Sequence, residues 1–161
     1  MLYTSADVRR AVRQVLASSA TERVVIVGFV GSTPESYLPN PRGIRLYCWD
    51  EPPTNPEAIR RLMRLGVKCY FSSRVHMKGY WARDHGCVVA SSNLSSQAMA
   101  GDKLLEAGVL LAPGVVDNQE ASEPALGAES DQGPHFRTGH PHRSASNQWS
   151  DRFVARPADI H

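Results

Sequence analysis

One continuous apolar run, RVVIVGFVG at residues 23–31, constrains the fold of this 161-residue chain more than any other feature. An uninterrupted run of β-branched residues is typical of a strand that is buried on both faces, as in the sheets of α/β proteins. Two more apolar runs, IRLYCWD at 44–50 and VKCYFSS at 67–73, predict further strands. Between them, residues 56–66 have the apolar spacing of a helix that stops at Gly66. This order predicts an α/β sandwich.

The flanking sequence extends the same pattern in both directions. The other predicted elements are a helix at 4–19, strands at 73–82 and 87–91 joined by an RDHG turn, a short helix at 93–101 and a last strand at 105–113. Thr4 or Ser5 is expected to cap the first helix. Residues 1–112 are therefore expected to form one α/β domain, in which helices flank a mixed β-sheet.

The composition of the chain changes after residue 112. Residues 113–161 include GPHFRTGHPHRSASNQ, hold few large apolar residues and have no sustained periodicity, which predicts a disordered, low-complexity tail. Within it, WSDRFVARPADI at 149–160 is a candidate docking element. Residues 1–112 carry 14 Lys/Arg and 9 Asp/Glu, a net charge of +5, whereas the tail carries 4 and 7, a net charge of −3. The basic surplus would help a polyanionic ligand to approach the domain.

The features that bear on location predict a cytoplasmic protein. Cys48, Cys69 and Cys87 lie in apolar stretches and are odd in number, which is typical of buried thiols in a reducing compartment. The start, MLYTSADVRRAV, lacks the basic and apolar regions of a secretory signal. No stretch approaches the roughly 18 apolar residues of a membrane span, so no stable membrane association is expected. The sequence contains no CxxC or HxxxH spacing, so no metal site is expected.

The segment RVHMKGYWARDHGCVVASSN at residues 74–93 concentrates polar side chains between apolar ones. Side chains alternate across a strand, so residues two apart share a face. His76 and Lys78 are therefore expected to point to the same side of their strand, with Met77 on the other side, towards the core. Taken singly, a His-x-Lys pair on a strand is more often part of a solvated face.

The return strand and its turn bring further polar groups towards His76. Ser91 and Ser92 follow the strand, and Asn93 is predicted to start a helix, where unpaired backbone N–H groups favour anions. Alone, these three residues would be a turn and a helix cap. Together with an imidazole and the Lys78 ammonium, they suit a phosphoryl group, whose oxygens need several donors and positive charge in the transition state.

The spacing of these residues resembles the phospholipase D superfamily, whose signature is commonly written HxKxxxxDxxxxxxGSxN. The residues in register with it are His76, Lys78, Ser91 and Asn93. Two positions depart from the signature, because Ala90 stands at its glycine and Arg83, followed by Asp84, at its aspartate. In the family that acid is mainly structural. The resemblance covers roughly residues 4–112 and implies the same α/β half-unit.

The resemblance also implies a two-step displacement. His76 would attack phosphorus to form a covalent phosphohistidine, while a second histidine protonates the leaving oxygen and then activates water or an alcohol. Lys78 and Asn93, with the Ser91 hydroxyl, would hold the non-bridging oxygens, and Glu106 would orient a catalytic histidine. The mechanism requires no metal or other cofactor. Because one chain supplies one motif, the resemblance implies a homodimer whose two His76 side chains face each other.

Small bacterial members with one motif are often nucleases, and the basic surplus fits contacts with nucleic-acid phosphates. The expected function is therefore metal-independent hydrolysis of DNA or RNA. Ser92 would contribute a hydroxyl to substrate binding, while Trp81 and Arg83 would stack on bases or sugars, unless they serve hairpin packing. Two alternatives stay open: a phospholipase D or transphosphatidylase acting on lipids, and a non-catalytic nucleic-acid-binding or scaffold subunit.

Overall fold

The computed structural model describes residues 1–100 and 104–116, and within them six strands form one mixed sheet. The elements are α1 (Ser5–Leu16), β1 (Arg23–Ile26), a 3₁₀ turn (Pro34–Tyr37), β2 (Arg45–Cys48), α2 (Pro56–Arg64), β3 (Lys68–Phe71), β4 (Gly79–Ala82), β5 (Gly86–Ala90), α3 (Ser96–Met99) and β6 (Gly108–Leu111). The predicted mixed sheet with flanking helices is confirmed. The predicted tail lies outside the described residues from residue 117 onwards.

The strand order is β3-β2-β1-β4-β5-β6. β1, β2 and β3 run parallel to one another, whereas β4, β5 and β6 each run antiparallel to the strand before them in this order. Strands β1, β2, β3 and β5 therefore end at the same end of the sheet, measured along the strands, and β4 and β6 begin there. We call it the site end. Segments that leave or enter neighbouring strands at this end therefore lie side by side.

The core occupies both faces of the sheet. On one face, the helices α1, α2 and α3 pack their apolar sides onto inward residues of the strands, among them Val25, Leu46, Tyr80 and Val88. The smaller cluster on the other face consists of Val24, Ile26, Tyr47, Val75, Trp81 and Cys87. The alternation of the two sets along β1 and β4 follows from the two-residue period of a strand.

The helices begin at side chains that the sequence marks as caps. The Thr4 hydroxyl accepts a hydrogen bond from the backbone N–H of Asp7 at 3.1 Å, so Thr4 caps α1. Asn55 Oδ1 accepts from the N–H of Ala58 at 3.0 Å at the start of α2. Past the end of α2, Gly66 takes a positive φ of 87°, as a glycine stop requires.

The predicted strand at 73–82 is wrong in its first half, because β4 begins only at Gly79. The partner strand β1 ends at Ile26, opposite Gly79, so the residues before Gly79 have no strand of β1 to pair with. Met77 is correspondingly 53% exposed rather than directed into the core, and Val75 is the buried residue of the segment. His76 and Lys78 therefore lie in an irregular segment at the site end.

The last predicted helix and strand are also shorter than expected. α3 begins at Ser96 and is capped by Ser95, whose hydroxyl accepts from the N–H of Ala98 at 3.3 Å. Asn93 is therefore not at a helix start, and the helix-terminal contribution expected from it is wrong. β6 begins at Gly108, so Glu106 precedes the strand instead of lying within it. The competing side chain at Ser95 explains the first difference.

The hairpin between β4 and β5 depends on Gly86, which has a φ of +98°. A Cβ at this position would collide with the carbonyl oxygen of Leu111 in β6. Gly43 also has a positive φ, +82°, but nothing lies within 4 Å of an added Cβ. We expect Gly43→Ala to lower the free energy of unfolding by about 1 kcal/mol through backbone strain. Gly86→Ala should lower it by about 3 kcal/mol, because overpacking is added to the strain.

Urea unfolding of the two variants and the wild type measures this difference. Equal losses for Gly43→Ala and Gly86→Ala would contradict the steric role of the contact with β6, because both variants carry the same kind of backbone strain.

Candidate active site

The site end of the sheet gathers six of the eight side chains that the sequence singles out. They are His76 and Lys78 before β4, Ser91, Ser92 and Asn93 after β5, and Glu106 before β6. Backbone hydrogen bonds join the three segments. The N–H of Ala90 donates to the carbonyl of Lys78 at 3.1 Å, and the N–H of Ser91 donates to the carbonyl of Ala107 at 3.0 Å. These bonds join residues 12 and 16 positions apart in the chain, so the three segments lie side by side at the site end.

His76 presents its imidazole at the surface of the site end. The residue is exposed, while Val75 beside it is 1% exposed and anchors the segment in the smaller core cluster. The ring faces the indole of Trp49, with centroids 6.1 Å apart and planes inclined by 34°. An exposed imidazole beside a partly buried ring is accessible to an external reactant and yet has a neighbour that limits its rotation.

Lys78 places its ammonium beside the backbone of His76. Its Nζ donates to the carbonyl oxygen of His76 at 2.9 Å, and the residue is partly buried. An ammonium carries three donors, so this bond leaves two for other acceptors. The positive charge is therefore held at the backbone of His76.

Asn93 is fixed by a hydrogen bond to the segment that follows β1. Its Oδ1 accepts from the backbone N–H of Phe29 at 3.1 Å. Gly28 makes room for this contact, because a Cβ there would lie 3.2 Å from the same oxygen. Since Oδ1 faces an N–H donor, the amide nitrogen is the other end of the side chain, and it has no hydrogen-bond partner within residues 1–100 and 104–116. It supplies two N–H donors.

Glu106 is the buried acid of the site, with 6% of its surface exposed. Its Oε2 accepts a hydrogen bond from the Ser91 hydroxyl, which in turn accepts from the N–H of Ala107 at 3.2 Å. Resemblance had implied that Glu106 would orient a histidine. In the described part of the chain its hydrogen-bond partner is Ser91, so the Ser91 hydroxyl is directed at Glu106 rather than at a ligand.

A tyrosine lies beneath these residues. The hydroxyl of Tyr80, which is fully buried, donates to the carbonyl of Ser92 at 2.8 Å. Burial, and then the nearby charge of Glu106, raise the pKa of Tyr80, which keeps it a neutral donor. The Ser92 side chain is also fully buried, and its hydroxyl has no hydrogen-bond partner among residues 1–100 and 104–116. This buried layer fixes the turn that carries Asn93.

Two of the predicted substrate-binding residues lie away from this group. Trp81 is 5% exposed and belongs to the smaller core cluster, so its ring packs within the protein. Arg83 lies at the opposite end of β4, where its guanidinium pairs with Glu22 at 2.5 Å and its N–H donates to the Glu22 carbonyl at 3.0 Å. The fold therefore does not bring these two residues to His76.

The structure adds one feature that the sequence analysis missed. A small pocket of about 120 Å³ lies at the site end. It is lined by Glu51, by Trp49, which follows β2, and by Ser73, which follows β3. Trp49 is also the ring that faces His76. The sequence did indicate this placement, because parallel strands have their carboxyl ends at the same end of a sheet. Polar or aromatic residues that directly follow such strands therefore lie at that end.

Two negative findings apply to residues 1–100 and 104–116. No group of three or more His, Cys, Asp or Glu side chains there is placed to hold a metal ion. None of the helices in the same ranges is long and apolar enough to cross a membrane.

Comparison with known proteins supports the fold. No protein-family model and no curated protein matches the chain. Among solved structures, the chain is similar to Nuc, a phospholipase D family member from Salmonella typhimurium, with a TM-score of 0.50 and 14% sequence identity. The match covers 65% of this chain and 76% of Nuc. The fold is therefore phospholipase D-like, as the resemblance implied.

Proposed function

We propose that the protein is a phosphodiesterase that hydrolyses nucleic-acid phosphodiester bonds through a covalent phosphohistidine at His76. One observation supports it above all. Three separate segments place an exposed imidazole, the ammonium of Lys78 and the amide donor of Asn93 at the same end of a phospholipase D-like sheet. Each has the chemistry that a phosphoryl group requires: a nucleophile, positive charge and hydrogen-bond donors.

In the first step, a lone pair of the His76 imidazole forms a bond to phosphorus, and the bond from phosphorus to the leaving oxygen breaks. A second histidine gives its proton to that oxygen. The negative charge on the non-bridging oxygens is stabilised by the ammonium of Lys78 and by the amide nitrogen of Asn93. To reach the phosphoryl group, the ammonium would leave its hydrogen bond with the carbonyl of His76.

In the second step, the second histidine takes a proton from water, the water oxygen attacks phosphorus, and the bond to His76 breaks. Glu106 acts in both steps as a positioning residue, because it fixes Ser91 and thereby the turn that leads to Asn93. Ser91 would contact the substrate only after its hydroxyl turned away from Glu106, whereas Ser92, which is fully buried, would support the turn instead of contacting the substrate.

The second histidine comes from a second copy of the chain, in a homodimer with one active site at its two-fold axis. The exposed position of His76 at the site end is compatible with such an arrangement. Sedimentation velocity should give a dimer at concentrations at which the protein is active. An excess of inactive His76→Ala protein is mixed with the wild type and left to exchange subunits. This should suppress the wild-type activity, because a mixed dimer has only one His76. An active monomer would contradict the shared site.

Nucleic acid is the preferred substrate because residues 1–112 carry a net charge of +5, which favours contacts with several phosphates. Wild-type protein is expected to cleave plasmid and single-stranded DNA in excess EDTA, and the rate should fall steeply between 50 and 200 mM salt. Release of headgroup from phosphatidylcholine vesicles, with no cleavage of DNA or RNA, would instead identify a lipid substrate. Binding of DNA without cleavage would identify a non-catalytic subunit.

A further inference from the structure

We propose that the pocket lined by Trp49, Glu51 and Ser73 is a binding site for the nucleobase that flanks the scissile phosphodiester. The inference rests on the proposed function, which it deepens by assigning a second part of the substrate to the site. It starts from a single placement: the ring of Trp49 both lines the pocket and faces the imidazole of His76. A group seated in the pocket is thus next to the residue that would attack phosphorus.

The indole of Trp49 is held in place by the fold. The backbone N–H of Trp49 donates to the carbonyl of Gly28 at 3.0 Å, and its side chain packs against the smaller core cluster. These two contacts hold the indole in one position, with its ring beside His76 and at the pocket wall.

The lining of the pocket selects against a second phosphate. The carboxylate of Glu51 would repel an anion, but it accepts hydrogen bonds from amino groups, as acidic side chains do from the exocyclic amine of cytosine. The Ser73 hydroxyl both donates and accepts. An indole ring, a carboxylate acceptor and a hydroxyl together match a planar, uncharged ring that carries amino and carbonyl groups. Among the parts of a nucleic acid, this is a base.

Dinucleotides give the sharpest test, because each contains one phosphodiester bond. The substrates are the dicytidine deoxydinucleotide and its two forms with a single abasic residue on the 5′ or the 3′ side. For the wild type, we expect one abasic form to lose about tenfold in kcat/KM, the size expected for one base stacked on an aromatic ring. Trp49→Leu should lose a similar factor on the intact dinucleotide and almost nothing on that abasic form.

Two further variants separate the parts of the pocket. Trp49→Phe keeps an aromatic face and should retain most of the stacking. Glu51→Gln should reduce a preference of the wild type for cytosine over thymine at the same position. Tyr70→Leu is the matched control, since Tyr70 is an aromatic residue on β3 that is 38% exposed and does not line the pocket. It should change neither the ratio of kcat/KM between intact and abasic dinucleotides nor the ratio between cytosine and thymine.

Equal losses for Trp49→Leu on intact and abasic dinucleotides would overturn the base site, because Trp49 would then act on His76 or on stability alone. Absence of cleavage by the wild type in EDTA, on these substrates and on long DNA, would instead contradict the proposed function. Binding keeps the inference testable in that case. Cytidine oligonucleotides should quench the fluorescence of His76→Ala more than that of the double variant His76→Ala/Trp49→Phe, and equal quenching would overturn the base site.

Discussion

Replacement of His76 with alanine should abolish DNA cleavage in EDTA, lowering kcat by a factor on the order of 10⁴ or more. The physical reason is that no other described group at the site end combines exposure with nucleophilicity at neutral pH. Lys78 is bonded to a carbonyl, and Ser91 donates to Glu106. In the proposed homodimer, the substitution removes both His76 side chains, and with them the proposed nucleophile and the proposed proton donor. Activity should therefore not recover at any pH.

The matched control is His85→Ala. His85 is also exposed, but it lies in the turn between β4 and β5, at the opposite end of the sheet from His76. Both variants remove one exposed imidazole and should unfold at the same urea concentration as the wild type. Only His76→Ala should lose activity. Retention of metal-independent cleavage by purified His76→Ala, or an equal loss in His85→Ala, would contradict the assignment of His76 as the nucleophile.

Replacement of Asn93 with aspartate should lower kcat by about 10²- to 10³-fold, the usual cost of one lost donor to a developing negative charge. An aspartate oxygen can still accept from the N–H of Phe29, so the tie to the segment after β1 is retained. What changes is the free end of the side chain, where two N–H donors become a carboxylate oxygen. In the proposed mechanism this end of the side chain contacts the phosphoryl oxygens as they gain charge, so the effect should fall on kcat.

Asn40→Asp makes the same chemical change elsewhere. Asn40 is exposed, and its φ of 52° is one that aspartate tolerates. The two variants have the same net charge, so a general effect of charge on DNA binding should appear in both, mainly as a higher KM. Steady-state kinetics at fixed ionic strength separates the two effects. Equal kcat values for Asn93→Asp and the wild type would show that the amide does not contact the reacting group.

The order of helices and strands could be predicted because each element depends on local patterns. The apolar run that contains β1 and the capping residue Thr4 are examples, and both are confirmed. The ends of elements could not be predicted, because they depend on partners. β4 starts at Gly79 where β1 ends, and α3 starts at Ser96 because Ser95, rather than Asn93, caps it.

Within the candidate site, spacing predicted which residues would meet but not what each would contact. Hydrogen bonding between Ser91 and Glu106 joins residues 15 positions apart, and no local pattern specifies it. The sequence indicates that Trp49 follows β2, but its position beside His76 depends on β2 and β4 lying on either side of β1, which the sheet order sets. The predicted roles of His76, Lys78 and Asn93 in catalysis stay predictions until the variants are measured.

The ion pair at the far end of the sheet bears on how relatives of this chain can be found. Arg83 stands where the phospholipase D signature has an aspartate, and a pattern that scores one position at a time treats it as a mismatch. In the fold it is half of a pair with Glu22, which lies just before β1 and 61 positions away in the chain. The two positions should therefore covary in evolution. A search that scores positions 22 and 83 jointly would accept an acidic residue at 22 with a basic residue at 83, and also the reverse arrangement.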